Sequence, residues 1–181
     1  AYKGVPELDE FRGWVRGDQK SLRIDIDDGP LHLGFPDQFG HTWDYNAASG
    51  SVTFWFEPGY LGLRGHDLVV SYGDTRAIGG LAFSGPRDPT ERRLAILGVV
   101  DGMHFVDAKK YLPKTLSLTL GSWLRSSLVA GRLDEGVFVY HGHNRVHRDS
   151  PVPRVELTAR VTDGEVSYHP DWPIAEAVDG R

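Results

Sequence analysis

The segment Val137-Phe138-Val139-Tyr140-His141-Gly142-His143-Asn144-Arg145-Val146-His147 concentrates groups that could do chemistry. On a β-strand, residues two apart point to the same side, about 6.5–7 Å apart along the chain. His141 and His143 then share a face at a separation that one divalent transition metal bridges, imidazole being the usual ligand for zinc, copper or iron. His147 has the same parity and completes a three-histidine site with one position left open. The ordinary alternative for such a pair at a strand end is surface histidine held by hydrogen bonds.

A second constellation is His41-Thr42-Trp43-Asp44-Tyr45. Alternation puts His41, Trp43 and Tyr45 on one side and turns Asp44 away. That sets a flat apolar wall beside two groups able to exchange a proton or hydrogen bond. His104 follows Asp101-Gly102 and shares a side with Val106 if the strand runs on, which points it inward. Trp55 falls on the polar side of its strand, opposite Phe54 and Phe56, where an exposed indole could stack on a sugar ring. Tyr140 and His141 face opposite ways, so only one of them lines any interior. Asp25 or Glu57 with Asp44 would be the carboxylates to pair, but no local spacing nominates a pair.

The His141-Gly142-His143 spacing resembles the first metal motif of the cupins, in which two histidines flank one residue and an acid follows. His147 stands where the acid is expected, and the 34 residues after it hold no second-motif histidine in a comparable setting. The resemblance implies a metal-dependent enzyme on a small β-barrel.

Several signatures are missing. The chain has no Gly-x-Ser-x-Gly elbow, His-Glu-x-x-His, phosphate loop or dinucleotide fingerprint. Cysteine is absent, which removes disulfides, thiol nucleophiles and thiolate metal sites. The net charge of −5 argues against nucleic-acid binding, and the one basic bunch is Lys109, Lys110 and Lys114. No apolar run approaches the roughly 18 residues of a membrane helix, so no membrane partner is expected. A soluble chain is expected, cytoplasmic rather than secreted. Ala1 at the start fits either a processed or a trimmed terminus.

Positioning these side chains falls to β-strands. Leu22-Arg23-Ile24-Asp25-Ile26-Asp27 alternates apolar and charged residues, as a half-buried strand requires. Val52, Phe54 and Phe56, then Leu116, Leu118 and Leu120, then Val155, Leu157, Ala159 and Val161 repeat the period. Leu94 to Val100 is apolar on both sides and predicts a central strand. Asp28-Gly29, Ser49-Gly50, Gly73-Asp74, Asp101-Gly102, Glu135-Gly136 and Asp163-Gly164 are turn signals. Two helical turns are expected over Pro6 to Trp14, a shorter piece over Val106 to Leu112, and a closing turn near Pro173 to Val178.

The expectation is one all-β domain over 1–181. It has an N-terminal arm over 1–20 and a tail over 171–181. Nine or ten strands form an antiparallel meander closing as a calycin-like β-barrel or, second, a two-sheet jelly-roll sandwich. The leading functional expectation is a small molecule held in an aromatic-lined interior. Cofactor-free acid–base chemistry (isomerisation, cyclisation or elimination) would run through His41, Tyr45, His141 and His104, with Trp43, Trp55 and Tyr140 binding substrate. The second expectation is the metal enzyme on His141, His143 and His147. The third is a non-catalytic carbohydrate- or ligand-binding module. A homodimer is compatible with all three.

Overall fold

Alternating sequence of this length forms long strands when the turn-type residues inside it bend the backbone instead of reversing it. The computed structural model describes residues 7–9, 12–34, 41–86, 88, 91–112, 118–143, 151, 153–169 and 171–180. Ten antiparallel strands form a single sheet: β1 (Glu7–Asp9), β2 (Gly13–Gly17), β3 (Ser21–Gly34), β4 (Thr42–Glu57), β5 (Tyr60–Tyr72), β6 (Thr75–Pro86), β7 (Arg93–His104), β8 (Leu128–His143), β9 (Arg154–Val166) and β10 (Ala175–Gly180). From β3 to β10 each strand pairs with the next in the chain, and β1 and β2 both pair with the free side of β3. At about 3.3 Å per residue, a sixteen-residue strand such as β4 runs about 50 Å.

The sheet is not closed. Barrel closure needs the first and last strands to pair, whereas among the described residues β10 pairs with β9 alone and β1 and β2 pair with β3 alone. The all-β class and the strand number stand as expected. The enclosed interior does not follow from this sheet.

Only one of the six turn signals, Gly73-Asp74, joins two strands as a two-residue hairpin, with Tyr72 opposite Thr75. Pro58-Gly59 makes the other, with Glu57 opposite Tyr60 and Gly59 at φ +76°. The remaining five signals lie inside strands, four of them at or beside β-bulges, where an extra residue bends the strand, while β7 and β8 stay in register across Asp101-Gly102. Gly50 sits at φ +133° opposite a bulge in β5, and Asp67, within that bulge, has φ +52°. A side chain on Gly50 would begin 2.7 Å from the Asp67 carbonyl oxygen, so only glycine allows the close approach.

Three other expectations are corrected. The stretch expected as an N-terminal helix holds β1 and β2, because β3 offers its free edge to both. The Leu118 and Leu120 alternation lies in a helix, α2 (Leu118–Ser127), while Leu116 is outside the described residues. The closing turn near Pro173 to Val178 includes the start of strand β10. The expected short helix exists as α1 (Phe105–Ala108), continued by a 3-10 turn over Lys109–Tyr111.

Among the described residues, buried apolar side chains are few. Leu31, Tyr45 and Ala48 form a core cluster with Ile26, Leu33, Trp43, Val70 and Tyr111 packed against it, and Met103 and Phe105 are buried elsewhere. The accessible surface is 12291 Å². A compact monomer of 20.1 kDa would show about 8,700 Å². An open sheet that buries few apolar side chains contributes to the excess.

Candidate binding face

Cross-strand partners share a face, so the register assigns every strand residue to one side. One row runs Ile24–Val52–Gly65–Leu81–Ile96–Tyr140–Val155 across seven strands. At about 4.8 Å between strands it spans about 29 Å. A parallel row carries Leu22–Phe54–Leu63–Phe83–Leu94. This apolar face continues to the β3–β4 end through two compensating bulges. Between Ile26 and Gly29, β3 has the extra residue; between Ala48 and Tyr45, β4 has it. Parity is thereby restored, and Leu31, Leu33, Tyr45 and Trp43 stay on the face that bears Ile26 and Ala48.

Beside the large residues the face has a low strip. Gly79 pairs with Gly98, which pairs with Phe138, and the adjacent row runs Val70–Ala77–Val100–Gly136–Ala159. Ala77, Gly79 and Gly98 carry little or no side chain, with Leu81, Ile96 and Tyr140 rising along one flank, while Val100 covers Gly136 on the other. The segment Phe105–Tyr111 crosses the same face at the end of this strip. Tyr111 stacks on Trp43, ring centroids 5.1 Å apart and planes 30° apart. Lys110 lies with Nζ 5.0 Å from the Tyr72 ring and 2.6 Å from the Asp107 carboxylate. Phe105 is anchored over β8 at Gly131, where a side chain would begin 3.2 Å from its ring.

Burial sets the electrostatics here. It pushes the Tyr45 phenol far above its usual range, with the facing Tyr111 hydroxyl adding to the effect. Tyr111 is also raised, again by burial, and its contact with Tyr45 opposes the shift. Tyr140 is raised by burial, and its hydroxyl donates to the His143 carbonyl at 2.8 Å. Lys110 is held protonated chiefly by its hydrogen bond to Asp107. The polar groups described on the face are therefore neutral phenols and one carboxylate–ammonium pair, Asp107 with Lys110.

The opposite face is mixed. Asp25 binds Arg23 at 2.7 Å and Arg16 at 2.6 Å, and the Arg23 hydrogen bond does most to hold its carboxyl below the usual range. Ile78, Leu97 and Val99 are exposed there. Trp55 is half-buried, because it lies flat over Gly62, where a methyl group would overlap the indole.

The expected site residues are dispersed. Trp43 and Tyr45 share the apolar face, as alternation implied, and Asp44 turns away to pair with His32. His41 is exposed in a bend just before β4. His104 is exposed at the start of α1 rather than inward. Tyr140 takes the apolar face and His141 the other, exposed. His143 shares the face of His141, opposite Arg93, and His147 is outside the described residues. Among the described residues no group of three or more His, Asp or Glu is placed to hold a metal. Asp25, bound to arginines, and Glu57, at the β4–β5 hairpin, are not paired with Asp44.

Two features were not singled out from sequence. Ser51 Oγ lies 2.8 Å from His66 Nε2, and His66 Nδ1 lies 3.0 Å from Asp67. The order of groups is that of a proton relay, but Ser51 is 4% exposed within the sheet and the array sits at the β5 bulge. Its evident work is to pin that bulge. Tyr111 was the other, and its only sequence signal is an aromatic next to Lys110 in a short helical piece.

Fold and face together define a single-layer antiparallel β-sheet protein with one apolar and one mixed face. The sequence matches the YhdP protein family over residues 1–181, and the chain belongs to that family. No curated protein and no solved structure matches it.

Proposed function

We propose that this chain binds an elongated apolar or amphiphilic molecule, of the long-chain fatty acyl class, on its apolar face. The observation that carries the reading is the continuous apolar row across seven strands, over which no second sheet lies among the described residues. Apolar surface left in water costs about 25 cal/mol per Å², and a flexible chain recovers that cost by lying along the strip. The interior expected of a calycin-like barrel becomes, in this reading, one face of an open sheet.

Binding is favoured over catalysis by the chemistry of the face. Acid–base catalysis wants a group that exchanges protons near neutrality, and the ionisable side chains described on this face are phenols and the Lys110–Asp107 ion pair. The rows hold no histidine. The reading invokes no cofactor.

A diazirine-bearing palmitate, photolysed on the folded protein and mapped by mass spectrometry, tests it. Adducts on Leu81, Ile96, Phe138 or Tyr140 are expected. Adducts confined to Trp55, Leu97 or His141, or no adducts above those of the urea-unfolded chain, would overturn it.

A further inference from the structure

We propose that Tyr111 is the stop that sets how long a chain the apolar face accepts, an inference that rests on the binding reading above. The low strip runs from Gly98 through Gly79 and Ala77 towards Val70. Val70, at the end of the strip, packs against the same buried Leu31–Tyr45–Ala48 cluster as Tyr111, and Tyr72, two residues further along β5, lies under Lys110. An alkyl chain advancing along the strip therefore meets the edge of the Tyr111–Trp43 stack.

The stop is rigidly held. Tyr111 is fixed by its ring on Trp43, with centroids 5.1 Å apart, and by packing against the buried cluster that contains Tyr45. One residue earlier, Lys110 grips both Asp107 and the face of Tyr72. Six residues before Tyr111, Phe105 is 3% exposed and locks the start of the segment. A ring stacked on Trp43, in a segment tied down on both sides by Lys110 and Phe105, does not swing aside for each added methylene, so it acts as a wall and not as a soft contact. Replacing it with a smaller residue opens the floor of Ile26, Ala48 and Val70 behind it, which continues the same apolar face.

The experiment is displacement of a fluorescent fatty acid by saturated fatty acids of increasing length. In the unmodified protein, affinity rises about fourfold for each methylene that gains cover and then stops rising at one length. In Tyr111→Ala the rise continues over several further carbons. Tyr111→Phe keeps the stack and leaves the limit unchanged. Tyr111→Leu, which retains an apolar contact for folding, gives an intermediate limit. The same limit in Tyr111→Ala and Tyr111→Leu as in the unmodified protein overturns the stop while leaving fatty acid binding intact. Failure of every form to bind any fatty acid overturns the underlying reading, and the stop with it.

Discussion

Gly79 and Gly98 stand directly opposite each other in β6 and β7, and neither places a side chain on the apolar face. The pair makes the bare floor between Leu81 and Ile96 on one flank and Ala77 and Val100 on the other. Glycine inside a strand is costly, because it loses more backbone entropy on folding and packs against nothing. Two of them side by side in the middle of a sheet therefore call for a reason, and a backbone that a ligand approaches closely is one.

Gly98→Val separates stability from function on that ground. A side chain at Gly98 would meet nothing within 4 Å, and the position has no positive φ to forbid it. The substitution is expected to raise stability by about 0.5–1 kcal/mol, seen as a higher urea midpoint. Fatty acid affinity should fall in the same protein, because the floor is filled. A lowered midpoint, or unchanged affinity, would contradict the account of the strip.

Alkaline pH gives a second check through Tyr45. Its folded pKa is raised by burial, so the neutral phenol is favoured in the folded state. The stabilisation is complete below the ordinary tyrosine pKa of about 10 and is lost as pH climbs above it. Tyr111 and Tyr140 act in the same direction. The melting temperature of the unmodified protein should therefore drop steeply above about pH 10. Tyr45→Phe should drop less steeply over the same range. An identical slope in both proteins would show that Tyr45 does not carry the effect.

Period-two alternation made the all-β class, the number of strands and the central place of Leu94–Val100 legible in the sequence. Strand length was not legible, because Gly73-Asp74 and Ser49-Gly50 look alike, though the first reverses the chain and the second bends it. The difference lies across the sheet, in a bulge such as that at Asp67, which no local pattern displays. The same bulges explain why parity counted along one strand gives only part of the site. It placed Trp43 with Tyr45 and separated Tyr140 from His141, yet gave no sign that Tyr45 shares a face with Ala48, an odd number of positions away. Tyr111 was invisible for a different reason: its partner Trp43 is 68 residues earlier and meets it only through tertiary packing. Histidine drew attention by chemical type, but His41, His104 and His141 are exposed, away from the packed apolar face.

Ile96 and Leu97 are adjacent in β7 and face opposite ways, Ile96 between Leu81 and Tyr140 and Leu97 between Gly80 and Val139. Titrating a fluorescent fatty acid into Ile96→Asp and Leu97→Asp, each verified as folded by circular dichroism, tests the central claim most directly. Ile96→Asp should weaken binding about tenfold or more, equivalent to about 1.4 kcal/mol, while Leu97→Asp leaves it unchanged. A loss that follows Leu97 instead, or no difference between the two, would contradict the assignment of the apolar face as the binding surface.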